Sequence, residues 1–439
     1  MDHPPFGSHA GQVEPPIASV PRRRWRIAWL LGLGVLVNYF DRVNLSVSHN
    51  ALTTDFGISD ITFGYLLSTY NWTYALCQLP IGVVLDKFGV RRVGRISSFI
   101  WSVASFSAAL AQGTRGFFSA RLLLGIGESP TFPGNAKAIG LWFPPQERSF
   151  ATSLFDSAAK FASAIGVPLI GILLIYVGWR LSFAATGVIS LLYFALFFWI
   201  YRDPEDDPLL TSREFEYIRA SPAEEPEESA EPRASLSYLL RQRRVLGLAL
   251  GFGSYNYTFY LLLTWLPTYL SQSLHIDLLH SFVYTGLPWL IATAAELTIG
   301  GWVVDTLVKR GWNPNRVRMF VLVGGTAMGL GIFGAGWSHS AAHALAWISL
   351  AIAGLSAASP VGWSIPSLIA PRGSVGKLSG IINLSNQISG IAAPIITGYL
   401  VNALHSYTAV FEVAGAYLVV GICGYLFLLQ SVEPIPAEI

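Results

Sequence analysis

An arginine lies inside the first long apolar segment of the chain, next to residues that could share its chemistry. Arg42 follows Asn38 by four positions and Tyr39 by three. That spacing places the three side chains on one face of a helix. A guanidinium group presents a planar fork of donors that matches a carboxylate. The pattern therefore predicts an anion-binding site with an amide and a phenol beside it.

Two acidic residues belong to the same region of the predicted protein. Asp41 directly precedes Arg42, so its side chain points about 100° away on a helix. Glu128 lies in the segment GIGESPTFPGN, whose prolines predict a kinked or broken helix. Because low dielectric disfavours the charged form of a carboxyl group, we predict that Asp41 and Glu128 carry protons. The alternative is structural ion pairing, with Glu128 permanently bridged to Arg42 or Arg121.

A further cation, Lys160, lies four residues after Asp156 in a later apolar segment. The spacing allows an ion pair within one helix. The other interpretation is that Lys160 faces a cavity and gives a substrate a second positive contact. Glu296 also lies inside an apolar segment, and we expect a structural role for it, near the second GxxxD segment described below.

Polar and aromatic residues also recur in apolar segments of the second half. Amide and phenol groups suit the hydroxyl-rich body of a polyol or sugar acid, although single Tyr and Trp residues more often pack or lie at the membrane interface. These residues are Tyr255, Asn256, Tyr257, Tyr260, Trp363, Asn383, Asn386 and Gln387.

The elements that must position these residues are transmembrane helices. Only 12% of the 439 residues are charged and 52% are hydrophobic, against about 25% charged in an average soluble protein. The hydrophobic residues form blocks of about 20, which is the length of a helix that crosses about 30 Å of hydrocarbon. We predict an all-α membrane protein whose main partner is the lipid bilayer. Its twelve helices are expected at 25–49, 62–85, 93–112, 117–143, 149–177, 180–201, 245–271, 280–308, 317–337, 341–369, 376–403 and 408–430.

The predicted helices divide into two sets of six. Two similar segments, GVVLD ending at Asp86 and GWVVD ending at Asp305, each close the second helix of a set and precede basic residues. Such internal repetition is typical of secondary transporters. We interpret the acidic stretch between the sets as a solvated linker. The predicted organisation is a tail at 1–24, a bundle at 25–201, a linker at 202–244, a second bundle at 245–430 and a tail at 431–439.

The basic residues concentrate in the loops that would share one membrane side with both termini. The positive-inside rule places that side in the cytoplasm. Asp86 with Arg92, and Asp305 with Arg310, are then predicted to act as gating ion pairs between the two sets. The alternative is that these charges only fix the topology.

Several function classes are excluded by what the sequence lacks. No phosphate-binding loop, nucleophile motif or metal cluster is found, so we expect neither an enzyme nor a cofactor other than protons, and no nucleic-acid partner. Cys77 and Cys423 lie inside apolar segments and predict neither a disulfide nor a metal site. The polar, Pro-rich start predicts no cleaved signal peptide. A membrane sensor would need a larger soluble domain than 202–244.

Four segments resemble the anion:cation symporter family of the major facilitator superfamily. They are NYFDRVNLS at 38–46, GVVLDKFG at 82–89, GESPTFPGN at 127–135 and WFPPQER at 142–148. The resemblance extends over all twelve helices and is greatest to bacterial galactonate, glucarate and hexuronate transporters, with sialin and the vesicular glutamate transporters more distant. It implies two pseudo-symmetric six-helix bundles, and import of a sugar acid with protons by alternating access. It also implies a functional monomer in the bacterial inner membrane.

The resemblance also implies residue roles. Arg42 would hold the substrate carboxylate, and Asp41 with Glu128 would couple protons. The implied substrate contacts are Tyr39, Tyr74, Trp363 and Asn383.

The sequence departs from this family pattern in the fifth helix, where DSAAK at 156–160 replaces the NSAQY of the sugar-acid transporters. Pro360 and Gly362 also stand where galactonate transporters have small hydroxyl residues. These differences argue against galactonate itself and favour Lys160 as a second carboxylate contact. An aldarate, a tartrate-like acid or an aromatic diacid would suit that site. An exporter on the same fold is the alternative, although Arg42 disfavours a cationic cargo.

Overall fold

The computed structural model describes residues 21–219, 234–276, 278–371 and 374–436, and within these ranges the chain is helical without a strand. The first half contains α1 (Arg23–Val47), α2 (His49–Phe56), α3 (Asp60–Ala109), α4 (Thr114–Glu128), α5 (Thr131–Trp142) and α6 (Pro145–Ile200). The connecting segment carries α7 (Ser212–Arg219) and α8 (Leu236–Arg241). The second half contains α9 (Arg243–Gln272), α10 (Leu278–Ala295), α11 (Val304–Lys309), α12 (Pro314–Gly329), α13 (Gly331–Gly336), α14 (Ala341–Ile369), α15 (Val375–Leu404) and α16 (Thr408–Cys423). Two π-helical segments, Glu296–Val303 and Gly424–Leu429, follow α10 and α16.

Two of these helices each contain two membrane crossings. Helix α3 has 50 residues and α6 has 56, and at about 1.5 Å per residue either is more than twice the length of one crossing. Each reverses at a glycine with positive φ, which is 76° at Gly89 and 79° at Gly178. Glycine adopts this conformation without the steric cost that a Cβ atom brings. The reversals separate crossings two from three and five from six.

The fourth crossing consists of α4 and α5, which meet at Pro130. Helix α4 ends at Glu128 and α5 begins at Thr131. Pro130 has no backbone N–H to donate to the helix, and this explains the break, as the sequence predicts. With α10–α11, α12–α13 and α16 with its π-helical segment each counted as one, twelve crossings are present in the described chain.

The outer surface of this bundle is apolar. It carries large exposed side chains, as expected of residues that face lipid. Phe320 and Tyr176, for example, are each 79% exposed. Six helical stretches are long and apolar enough to cross a membrane by length and hydropathy alone. They are Phe150–Ile200, Tyr284–Val308, Pro314–Gly336, Ala341–Ile369, Lys377–Leu404 and Thr408–Leu429. Helix α1 is outside this set because it carries charged and amide side chains that are buried inside the protein.

The two halves pack against each other through α3 with α15, α6 with α10 and α1 with α9. Close approaches lie on the side away from the termini, which we call the far side. A Cβ atom on Gly64 would lie 2.6 Å from the carbonyl oxygen of Pro394. Ser46 Oγ donates a hydrogen bond to the carbonyl oxygen of Thr264 at 2.6 Å. Glycine and short polar residues therefore allow the halves to touch there.

On the opposite, terminal side, the connecting segment is bound to the first half. Asp207 accepts from Arg23 at 2.7 Å, and Glu214 accepts from Arg24 at 3.0 Å. Both carboxylates are buried. The interpretation of this stretch as a solvated linker is therefore wrong for these two residues, which arginines at the start of α1 hold, while the other acidic residues before α7 are exposed or partly exposed.

Candidate functional site

The Arg42 side chain projects from α1 towards α3 and α4, and it is buried. Its Nε donates to Glu128 Oε2 at 3.1 Å, and its Nη2 donates to Asn38 Oδ1 at 2.8 Å. Nη2 also donates to the hydroxyl of Tyr70. The salt bridge that was one interpretation of Glu128 is thus formed, with Arg42 as its partner.

Three aromatic rings surround this guanidinium group. The Cζ of Arg42 lies 4.5 Å from the ring centres of Tyr39 and Tyr70 and 5.7 Å from that of Tyr74. Rings at these distances attract a cation through their π faces. Sequence analysis predicted Tyr39 and Tyr74 as substrate contacts but missed Tyr70. Its spacing of four residues before Tyr74 was the available signal, because it places both rings on one helix face.

Asp41 points into the interior of the first half, away from Arg42. Ser190 Oγ donates to its Oδ2 at 2.9 Å, and Arg121 Nη1 donates to its backbone carbonyl at 3.2 Å. A small cavity next to it is lined by Asp41, Ser105 and Arg121, among other residues. Arg121 Cζ also lies 5.7 Å from the ring of Tyr70, which contacts Arg42. The two acidic residues are therefore connected through Arg121 and Tyr70 rather than by direct contact.

Three charged atoms of this region have no hydrogen-bond partner among the described residues. They are Asp41 Oδ1, Glu128 Oε1 and Arg121 Nε, and all are buried. An unsatisfied polar atom in an apolar interior costs free energy. Such atoms are expected where groups exchange partners or protons during a working cycle.

Lys160 on α6 is buried between two carboxylates. Its Nζ lies 3.2 Å from Asp156 Oδ2 and 3.1 Å from Glu296 Oε2. The ion pair within α6 is therefore present, together with a second pair that joins the two halves. Glu296 begins the π-helical segment after α10. The sequence predicts only a structural role for Glu296 near the GxxxD repeat. The structure adds a contact between the halves, because the Glu296 carboxylate binds Lys160 of the first half.

The remaining predicted contacts lie in the second half. Asn256 Nδ2 donates to the carbonyl oxygen of Phe252 within α9 at 3.2 Å. Trp363 packs edge-on against Phe252, with ring centres 5.0 Å apart, and is 43% exposed. Asn383 Nδ2 donates to Gln78 Oε1 of the first half at 3.4 Å. Within the described chain, these three residues form no hydrogen bond or ion pair with Arg42 or Lys160.

Other amides of α15 are free to accept new partners. Both amide atoms of Asn386 and Oε1 of Gln387 are buried without a hydrogen-bond partner in the described chain. Nearby, Asn71 Nδ2 donates to the carbonyl oxygen of Gly390 at 3.1 Å, which joins α3 to α15. Unpaired amides beside a contact between the halves can bind hydroxyl groups.

The predicted gating residues lie at the terminal side. The side chains of Asp86 and Asp305 lie outside the described residues. Arg92 and Arg310 are exposed and form no ion pair within the described chain. The neighbouring Arg91 bonds to Asp206 at 3.2 Å, just after α6. Among the described side chains, no group of three or more His, Cys, Asp or Glu residues could hold a metal ion.

Twelve membrane crossings in two packed halves, with buried ion pairs between helices, define a polytopic membrane carrier. The chain belongs to the Major Facilitator Superfamily, because the sequence model of this family matches residues 31–394. It is therefore a multi-pass membrane transporter and not an enzyme. The predicted fold class is confirmed.

Known proteins are similar to this chain over most of its length. YybO of Bacillus subtilis (strain 168), described as an uncharacterized transporter, is 40% identical over 94% of this chain and 95% of its own. GudP of the same strain, described as a probable galactarate/D-glucarate transporter, is 31% identical over 93% of this chain and 92% of its own. The solved D-xylose-proton symporter has a TM-score of 0.72 at 17% identity and covers 93% of this chain and 97% of its own. That last similarity concerns the fold.

Proposed function

We propose that this transporter is a proton-coupled symporter that imports an organic anion of the sugar-acid class. The observation that carries the proposal is Arg42, a buried guanidinium surrounded by the rings of Tyr39, Tyr70 and Tyr74. A buried cation of this kind requires a negative partner. The similarity to a protein described as a galactarate/D-glucarate transporter supports a sugar acid as that partner.

The ion pair between Arg42 and Glu128 supports proton coupling. Glu128 forms this ion pair at 3.1 Å. A proton on Glu128 would remove its charge, and a substrate carboxylate could then take its place on Arg42. The site begins with one positive and one negative charge and ends with the same total, because a proton and an anion enter together. A low-dielectric interior favours this balance.

Asp41 is the second proton-carrying group in this proposal. Its position beside Arg121 allows a change in its charge to act on Arg121, which contacts the carbonyl of Asp41 and lies near Tyr70. Arg121 would thereby transmit the protonation of Asp41 to the ring that contacts Arg42.

The body of the substrate would be held by residues of both halves. Tyr39 and Tyr74 offer phenol groups beside Arg42, while Asn256 and Asn383 offer amides. The exposed face of Trp363 suits the C–H face of a sugar chain. Lys160 would contribute a second positive contact, which suits a dicarboxylate such as an aldarate, a tartrate-like acid or an aromatic diacid.

Alternating access would require the two sides to open in turn. By the positive-inside rule, the basic loops on the terminal side support cytoplasmic termini, linker and GxxxD segments in a bacterial inner-membrane protein. We assign Asp86 with Arg92, and Asp305 with Arg310, to closure of that side. The carrier would function as a monomer, with protons as the coupling ion and no other cofactor.

Uptake into proteoliposomes tests this function. With an acidic exterior, the wild-type protein should concentrate labelled galactarate or a related sugar acid, and Arg42→Ala should abolish uptake. Arg115→Ala is the matched control, because Arg115 is exposed near the start of α4. Undiminished uptake by Arg42→Ala would contradict the anion site, and net efflux under the same gradient would favour an exporter.

A further inference from the structure

Two of the buried cations, Arg42 and Lys160, are each held by an acidic residue from another helix. Glu128 holds Arg42 within the first half. Glu296 holds Lys160 across the two halves, with Nζ 3.1 Å from Oε2 and 3.2 Å from Oε1. In the proposed function, a substrate carboxylate replaces Glu128 on Arg42. A second substrate carboxylate could replace Glu296 on Lys160 in the same way. This inference rests on the proposed function.

The Lys160 cluster carries one more negative charge than positive charge. Asp156 and Glu296 share one ammonium group, and their side chains are 25% and 5% exposed. Asp156 is therefore partly exposed, whereas Glu296 is enclosed. Tyr255 on α9 and Tyr39 on α1 also act electrostatically on Lys160, and neither supplies a positive charge. Because an excess charge inside the membrane costs several kcal/mol, Glu296 is the member best relieved by a proton.

The backbone around Glu296 is suited to movement. The residue begins a π-helical segment, and such segments often mark functional sites because their hydrogen bonding is irregular. On the same segment, a Cβ atom on Gly300 would lie 2.6 Å from the carbonyl oxygen of Ala357. The segment therefore packs tightly on α14, while its first side chain reaches across to the other half.

We propose that Glu296 occupies a second carboxylate site on Lys160 in the empty transporter, so that the protein selects dianions over monoanions. When a dianion binds, its second carboxylate replaces Glu296 on Nζ, and Glu296 takes up a proton. The proton on Glu296 balances the second carboxylate, as the proton on Glu128 balances the first, so the exchange adds no net charge at the two cations. Because Lys160 and Glu296 belong to different halves, the exchange also removes an ionic contact between them.

A matched pair of acids tests this proposal. Galactarate and D-galactonate have the same carbon skeleton, and they differ in a carboxylate or a hydroxymethyl group at one end. We expect the purified wild-type protein to bind galactarate about tenfold more tightly, as for one additional charge-assisted hydrogen bond. Lys160→Gln should reduce galactarate affinity to that of galactonate.

Glu296→Gln should have the opposite effect on the diacid. Without the competing carboxylate, galactarate affinity at pH 7 should rise severalfold and lose much of its pH dependence, while galactonate affinity stays within about twofold. Glu412→Gln is the control, because Glu412 is exposed and contacts Trp337 away from this cluster. If Lys160→Gln does not fold, the double variant Lys160→Gln/Glu296→Gln removes both charges and should bind the two acids equally.

The possible results distinguish failure of this inference from failure of the proposed function. Equal changes for both acids in Glu296→Gln would make Glu296 a structural residue and overturn the inference alone. A persistent preference for galactarate in the double variant would do the same. Binding of neither acid to the wild-type protein would overturn the sugar-acid assignment, and the inference with it.

Discussion

Nε of Arg42 lies 3.1 Å from Oε2 of Glu128, although 86 residues separate them in the chain. Both side chains are buried, one on α1 and the other at the end of α4. Removing one member of a buried pair leaves an uncompensated charge, at a cost of about 3–5 kcal/mol. Arg42 therefore needs either Glu128 or another negative group as its partner. This requirement would couple the binding of the substrate to the binding of a proton.

Glu128→Gln separates exchange from accumulation. The neutral amide imitates a protonated carboxyl group, so Arg42 stays available to the substrate but no proton is released. We expect proteoliposomes to keep exchange of internal for external substrate, while accumulation under a proton gradient falls to a ratio of about 1. Concentrative uptake by this variant would remove Glu128 as the coupling group.

Tyr70→Phe tests the aromatic residue that sequence analysis missed. The substitution keeps the ring near Arg42 but removes the hydroxyl that accepts from Nη2. A lost hydrogen bond to a charged group costs about 1.5–3 kcal/mol, so we expect the KM for uptake to change by about tenfold or more. Tyr176→Phe is the control, because Tyr176 is 79% exposed. An unchanged KM would show that the ring alone matters.

The contact between Glu147 and Arg24 predicts a pH-dependent stability on the terminal side. Arg24 Nε donates to Glu147 Oε2 at 2.7 Å, and this hydrogen bond holds the pKa of Glu147 below its usual value of 4.5. A lowered pKa means that the carboxylate stabilises the fold above about pH 4.5 and loses this contribution as the pH falls through the folded-state value.

Glu147→Gln should therefore lower the free energy of unfolding by up to about 1 kcal/mol at pH 7, since the side chain is about one-quarter exposed. The difference from the wild type should disappear on acidification below pH 4.5 in a thermal unfolding series. Glu205→Gln removes the exposed pair with Arg219 and should have little effect at any pH. A constant difference between Glu147→Gln and wild type across the series would refute the electrostatic explanation.

Gly64→Ala tests the close approach of the two halves on the far side. The new Cβ atom would lie 2.6 Å from the carbonyl oxygen of Pro394, which is backbone and yields little. Such overpacking costs about 1–3 kcal/mol, so we expect a lower melting temperature and slower uptake. Gly324→Ala on α12 is the control, because nothing lies within 4 Å of its added atom. Equal behaviour of the two variants would mean that the approach is not rigid.

The sequence determined the number of membrane crossings and the local groups around Arg42. Each crossing satisfies its own backbone hydrogen bonds, so its length and composition can be recognised one segment at a time. The shared face of Arg42, Asn38 and Tyr39 is equally local, because it depends on the helical period alone. The break before α5 is also local, because Pro130 has no backbone N–H to donate.

Only the tertiary structure decided which charge pairs with which. Lys160 and Glu296 are 136 residues apart, and no local pattern predicts that π-helical Glu296 reaches the other half. The same limit explains why an acidic stretch predicts a solvated linker although Asp207 and Glu214 are buried, since only the folded structure brings Arg23 and Arg24 to them. An ion pair depends on the position of both partners in space, and a sequence records the position of each only along its own helix.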